Sequence, residues 1–171
     1  ESFGYLSGTD VRDKDGVNAC MLIAEAAPWY KKMYDKTLVD AIDMLYEQYG
    51  YYGDKGTSFV LPGKDGLEKI QTVMQALRAN PPKSFAGTDV KALRDYQTSK
   101  RICGETVEAL TLPKSNVLYF ELEGGAWICV RPSGTEPKIK LYVNAVSGSS
   151  EETQRLLNAY SDAAVKLLES L

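Results

Sequence analysis

Apolar positions in this chain recur at two periods, and the switches between them mark its elements. Val17, Ala19, Leu22, Ile23 and Ala26 fall at helical spacing after Asp15-Gly16. Pro28 has no N–H to give to the preceding turn, so it is expected to kink or end that helix. Thr37 is placed to cap a second helix with Leu38, Ile42, Leu45 and Tyr46 on one face, and Gly50 to end it. Residues 51–60 read as extended. Asp65 is placed to cap a third helix, whose stripe is Leu67, Ile70, Val73, Met74 and Leu77 and which Asn80-Pro81-Pro82 stops. Short strand patterns follow near 90–96, 117–122, 126–130 and 139–145. Gly124-Gly125 supplies the turn of a hairpin between the middle pair. A last helix over about 151–168 has Leu156, Leu157, Tyr160, Ala164 and Leu167 on its apolar side.

The charge balance divides the chain near Gly50. Five Lys/Arg stand against nine Asp/Glu before it, and fifteen against fourteen after it. The expected organisation is a helical segment over 1–49 and an α+β domain over 50–171, built as helix, mostly antiparallel sheet, then helix.

Composition narrows the function by exclusion. A net charge of −3 over 171 residues gives no general attraction to nucleic acid. No apolar run is long enough to span a membrane. The absence of histidine removes Ser-His-Asp and Cys-His chemistry from this chain and makes a zinc site improbable. Cys20, Cys103 and Cys129 are too scattered for a disulfide framework or paired metal ligands. They read as buried, inert thiols, and the expected compartment is the cytoplasm. The chain begins without Met and inside a charged, Gly-rich stretch, and is expected to be a piece of a longer protein.

The candidate chemistry lies in Arg131-Pro132-Ser133-Gly134-Thr135-Glu136-Pro137, between the last two strand patterns. Arg131 offers a planar donor fork that is charged at any working pH. Ser133 and Thr135 offer hydroxyl donors. Gly134 is expected to let the backbone turn its amides toward an anion, and the prolines to stiffen the loop. The same composition also makes an ordinary tight turn, so both readings stand at this level. Lys140 is either a second positive charge or the polar side of a strand whose Ile139 and Leu141 point inward. Tyr49, Tyr51 and Tyr52 read as packing at the domain junction, and Trp127 as core.

Arg131 to Val143, RPSGTEPKIKLYV, closely resembles the phosphate-binding loop in the last domain of the α-D-phosphohexomutases, the phosphoglucomutase and phosphomannomutase enzymes. The likeness is strongest to the bacterial phosphoglucomutase branch related to phosphopentomutases. Glu1-Ser2-Phe3-Gly4-Tyr5 resembles the end of that family's sugar-recognition loop, and Arg12-Asp13-Lys14-Asp15-Gly16 the charged segment after it. The resemblance implies that 1–49 is the helical end of an α/β third domain and that 50–171 is a TBP-like fourth domain. It implies that Arg131, Ser133, Gly134, Thr135 and Lys140 bind substrate phosphate, and that Glu1 and Ser2 bind sugar. Lys14 either contacts the phosphoryl group or is a solvated loop lysine. At the position of Lys140 many relatives carry arginine.

The family chemistry passes a phosphoryl group between a serine and glucose 1-phosphate or glucose 6-phosphate, through glucose 1,6-bisphosphate, with Mg²⁺. The serine and the Asp-rich metal loop belong to N-terminal domains, and no such stretch occurs here. The expected partners are therefore a phosphosugar and those other domains. This chain is expected to be inactive alone and to hold neither a catalytic residue nor the metal. Mannose or pentose phosphate specificity, or a non-catalytic sugar-phosphate-binding module, are the alternatives.

Overall fold

A computed structural model describes residues 6–10, 12–61, 65–134 and 136–171. The chain divides into two compact units, Glu1–Gly50 and Tyr51–Leu171.

The first unit consists of two helices after a loop. Helix α1 spans Gly16–Tyr34, and the Asp15 side chain caps it by accepting from the N–H groups of Val17 and Asn18. Contrary to the reading of Pro28 as a possible stop, the helix runs through it to Tyr34. It ends at Asp35, whose φ of 55° lies in the left-handed region and whose N–H bonds to the Lys31 carbonyl. Helix α2 spans Leu38–Tyr49 and opens on a reciprocal cap. The Thr37 hydroxyl accepts from the Asp40 N–H at 3.2 Å, and the Asp40 carboxylate accepts from the Thr37 N–H at 2.7 Å. Those bonds hold the Asp40 carboxyl below its usual range. Gly50 ends the helix with φ 96°. Among the described residues of this unit only Ala19 and Ala41 are buried apolar residues, and Val17 is 84% exposed. Two helices cannot enclose the stripes that their spacing defines.

The second unit is an α+β fold around one mostly antiparallel sheet. Its strands are β1 (Tyr51–Val60), β2 (Ser84–Phe85), β3 (Thr88–Asp95), β4 (Lys100–Cys103), β5 (Thr106–Ala109), β6 (Leu118–Leu122), β7 (Trp127–Pro132) and β8 (Lys138–Ser147). They lie in the order β1-β8-β7-β6-β3-β4-β5, with β2 pairing β3, and every described pairing is antiparallel. Helices α3 (Gly66–Ala79) and α4 (Ser150–Glu169) contribute to the same buried cluster as the alternate residues of the central strands. Leu118, Phe120 and Leu122 of β6 face this core, as do Ile128 and Val130 of β7 and Ile139, Leu141 and Val143 of β8. The other half of each alternation forms a second face that carries polar and aromatic side chains.

Helix α3 buries Ile70, Val73, Met74 and Leu77, but Leu67 is 60% exposed and is not part of the stripe. Asp65 precedes the helix without a side-chain capping bond. On α4, Leu157, Tyr160, Ala164 and Leu168 are buried while Leu156 and Leu167 are half-buried. The helix lies close on β1: a Cβ at Gly53 would sit 3.0 Å from the Thr153 methyl. The Thr153 hydroxyl bonds to the Tyr51 carbonyl at 2.9 Å. The β6–β7 hairpin closes over Glu123–Gly125 with Gly124 and Gly125 both at positive φ, the conformation the glycine pair predicts.

Three expectations need correction. Trp127 is not core: it is half-buried on the face away from the helices and stacks on Tyr119 with ring centroids 5.1 Å apart. Cys20 is exposed, and Cys103 and Cys129 are half-buried. Tyr49 and Tyr52 are both more than half exposed. Among the described residues, no helix is long and apolar enough to cross a membrane.

Phe120 is fully buried at the centre of the sheet, edge-on to Phe85 at 5.5 Å. Phe120→Ala is expected to lower the unfolding free energy by about 4 kcal/mol, read from urea denaturation; a loss under about 1 kcal/mol would contradict this packing.

Candidate functional site

Strands β7 and β8 place the candidate residues through their register. Val130 opposes Leu141, Arg131 opposes Lys140, and Pro132 opposes Ile139. Val130, Leu141 and Ile139 are buried on the helix side. The pleat therefore sends Arg131 and Lys140 together to the opposite face. Like charges directly opposite each other in a sheet are unfavourable. Arg131 is exposed and Lys140 half-buried.

Between them the loop is closed by backbone bonds. The Ser133 N–H donates to the Lys138 carbonyl at 2.8 Å, and the Lys138 N–H to the Glu136 carbonyl at 2.8 Å. The Leu61 N–H, at the end of β1, donates to the Pro137 carbonyl at 3.0 Å. A Lys138–Glu136 ion pair spans the same turn. Ser133 is half-buried and Gly134 exposed. Gly134 lies outside the left-handed region, and a Cβ there would meet nothing within 4 Å.

Arg131 also lines a cavity of about 490 Å³ against this face, with Tyr96, Lys114, Tyr119, Cys129 and Tyr142. Among the described residues, the lining holds two cations and no carboxylate. Burial pushes the Tyr119 hydroxyl up to about 12 and the Cys129 thiol up to about 11, so both are neutral at pH 7 and the cavity remains cationic. Lys114 is absent from the sequence-based candidates because it lies in an irregular segment with no period. That segment is held in place from both sides. Its Ser115 N–H bonds to the Tyr96 carbonyl at 3.3 Å, and Asn116 accepts from Arg78 at 2.6 Å.

Farther along the same face, the Glu121 carboxylate accepts from Arg94 and, through both oxygens, from Arg101 at 2.8 Å. Arg101 also bonds to Glu108 at 3.0 Å. The Arg94 guanidinium lies over the Tyr119 ring, 5.3 Å from its centroid. The hydrogen bonds from Arg101 and Arg94 outweigh burial and hold the Glu121 carboxyl down at about 2.

Lys14 belongs to the first unit and pairs with Asp13 at 3.2 Å, both side chains more than half exposed. Its own N–H donates to the same carboxylate at 2.7 Å. Glu1, Ser2 and Thr135 lie outside the described residues. Among the described residues, no three acidic, cysteine or histidine side chains come together to hold a metal ion.

Residues 65–163 match the phosphoglucomutase/phosphomannomutase C-terminal domain. The chain is 41% identical over 161 residues to a phosphoglucomutase of Staphylococcus aureus strain RF122, and 40% identical to that of strain MSSA476. Each alignment covers 93% of this chain but 29% of the relative, so the chain spans under a third of the length of the curated relatives it matches. In structure it is similar to the open form of the Paramecium phosphoprotein parafusin, described as a phosphoglucomutase. The TM-score is 0.56 at 16% identity, over 94% of this chain and 28% of the other, a likeness that shows the α+β fold.

The Glu121 cluster predicts an acid-sensitive component of stability. A carboxyl held at about 2 rather than 4.5 stabilises the fold above pH 4.5, and that contribution is lost as the pH falls toward 2. Glu121→Gln is expected to cost about 2 kcal/mol at pH 7 and to flatten the stability profile between pH 4.5 and 2. Urea midpoints taken across that range would expose a wrong assignment as an unchanged slope.

Proposed function

We propose that this chain, which belongs to the phosphoglucomutase/phosphomannomutase C-terminal domain family, grips the phosphate of a phosphosugar through Arg131, Ser133, Gly134, Thr135 and Lys140. The observation that carries the reading is the register that sets Arg131 opposite Lys140 at the mouth of the loop. Arg131 takes two phosphate oxygens through its planar fork, and Lys140 adds a point charge. The Ser133 and Thr135 hydroxyls donate, and Gly134 keeps the approach clear. Lys114, across the cavity, adds to the positive potential that draws the anion in.

In the whole protein the reaction is the interconversion of glucose 1-phosphate and glucose 6-phosphate. It proceeds through a phosphoserine and glucose 1,6-bisphosphate, with Mg²⁺ supporting the transfer from another domain. Both the curated relatives and the parafusin structure are named as phosphoglucomutases, which supports this choice of substrate. The part played by 50–171 is to hold the phosphate that is not being transferred. Fixing one end of the substrate turns the encounter at the other end into a unimolecular step. Residues 1–49 complete the preceding domain, where Glu1 and Ser2 contact the sugar and Lys14 lies near the phosphoryl group.

Titration of the chain with glucose 1-phosphate is expected to move the amide signals of Ser133, Gly134 and Lys140 saturably. Arg131→Ala is expected to weaken that affinity about tenfold or more, the scale of one charge-assisted hydrogen bond. Equal affinity in the two proteins would overturn the reading.

A further inference from the structure

Gly66 opens α3, where glycine is a poor choice. It lowers helix propensity, and here no positive φ calls for it. The reason lies in the space around it. An ideal Cβ on Gly66 would stand 2.2 Å from the Leu61 carbonyl oxygen and 3.1 Å from the Pro137 Cβ. Real Cβ atoms essentially never come within 3.0 Å of a neighbouring heavy atom, and a backbone carbonyl cannot rotate aside as a side chain does. Gly66 is buried, so no relief is open toward solvent.

The neighbours are the consequence. Leu61 follows the last residue of β1, and its N–H donates to the Pro137 carbonyl at 3.0 Å. One step earlier, Val60 pairs with Lys138, the first residue of β8. Pro137 is the last residue of the candidate phosphate loop. Three backbone segments thus converge: the end of β1, the first turn of α3, and the exit of the loop. Leu61 holds Pro137 through its carbonyl, and a Cβ at position 66 would meet its ring. The Leu61 bond ties the loop to β1 from outside the β7–β8 hairpin, whereas the bonds from the Ser133 N–H to the Lys138 carbonyl and from the Lys138 N–H to the Glu136 carbonyl close it on itself.

We propose that Gly66 is a positioning residue for the Arg131–Pro137 loop. It touches no ligand. Its missing side chain lets α3 and β1 seat Pro137, and Pro137 in turn sets where Ser133 and Gly134 stand relative to Arg131. Any side chain at position 66 displaces the Leu61 carbonyl or the start of α3, and the loop moves with them. The ligand-binding part of this inference rests on the phosphate reading above.

The test compares Gly66→Ala with Val73→Ala, a core truncation on the same helix. Both variants lower the thermal midpoint. Only Gly66→Ala is expected to shift the ligand-free amide signals of 133–138, and to weaken glucose 1-phosphate binding about tenfold or more, the scale of loss from a small misplacement of binding groups. Unmoved loop signals with wild-type affinity in folded Gly66→Ala would overturn the proposal, as would equal loop shifts in Val73→Ala. If Gly66→Ala does not fold, Pro137→Gly tests the junction from the other side, because it removes the ring carbon that a Cβ at position 66 would approach. The same loop shifts are then expected, and their absence overturns the proposal. If instead Arg131→Ala leaves affinity unchanged, the phosphate reading fails by itself, and the ligand-free loop shifts alone decide whether Gly66 positions the loop.

Discussion

The period of two in the β7–β8 hairpin is the constraint on which the rest depends. Burying Val130, Ile139 and Leu141 beneath the helices leaves the intervening residues no choice of side. A slip of one residue would drive two cations into the core and lift the core into water. The same hydrophobic burial that holds α3 and α4 against the sheet therefore also aims Arg131 and Lys140. Binding chemistry here needs no separate positioning force on the strands, only on the loop between them.

What the sequence made legible follows from how strongly each pattern repeats. Strands β6, β7 and β8 alternate cleanly because each has one face buried. The cap at Thr37 was visible because it is local chemistry, whereas Asp65, which stands in an equivalent place before α3, makes no capping bond. Strand β5 was not visible, since all four of its residues are exposed and no alternation marks it; β4 and the two-residue β2 are similarly short. Trp127 looked like core because large aromatics on central strands usually are. Its partner Tyr119 lies on the opposite strand, and only the register shows that both face away from the helices. Leu67 fits helical spacing, yet it sits at the end of α3 beyond the core.

The candidate site was legible in its loop and not in its surroundings. Arg131 and Lys140 announce themselves by charge and spacing. Lys114 comes from a segment far along the chain, held by Arg78 and Tyr96, and nothing local to it signals a site. Gly66 was invisible for a related reason. A glycine required by close approach looks, in sequence, like any glycine at the start of a helix. Sequence patterns record which side chains are present; crowding among backbones shows only in three dimensions.

Strand β1 is ten residues long and pairs with β8 on one side only, so it offers a long row of backbone donors and acceptors to any passing strand. Its middle carries Lys55, opposite Val143 on the helix side, with the ammonium 3.3 Å from the side-chain amide oxygen of Asn158 on α4. An inward-facing charge on an edge strand disfavours the addition of a further strand. The lysine that ties β1 to α4 is such a charge.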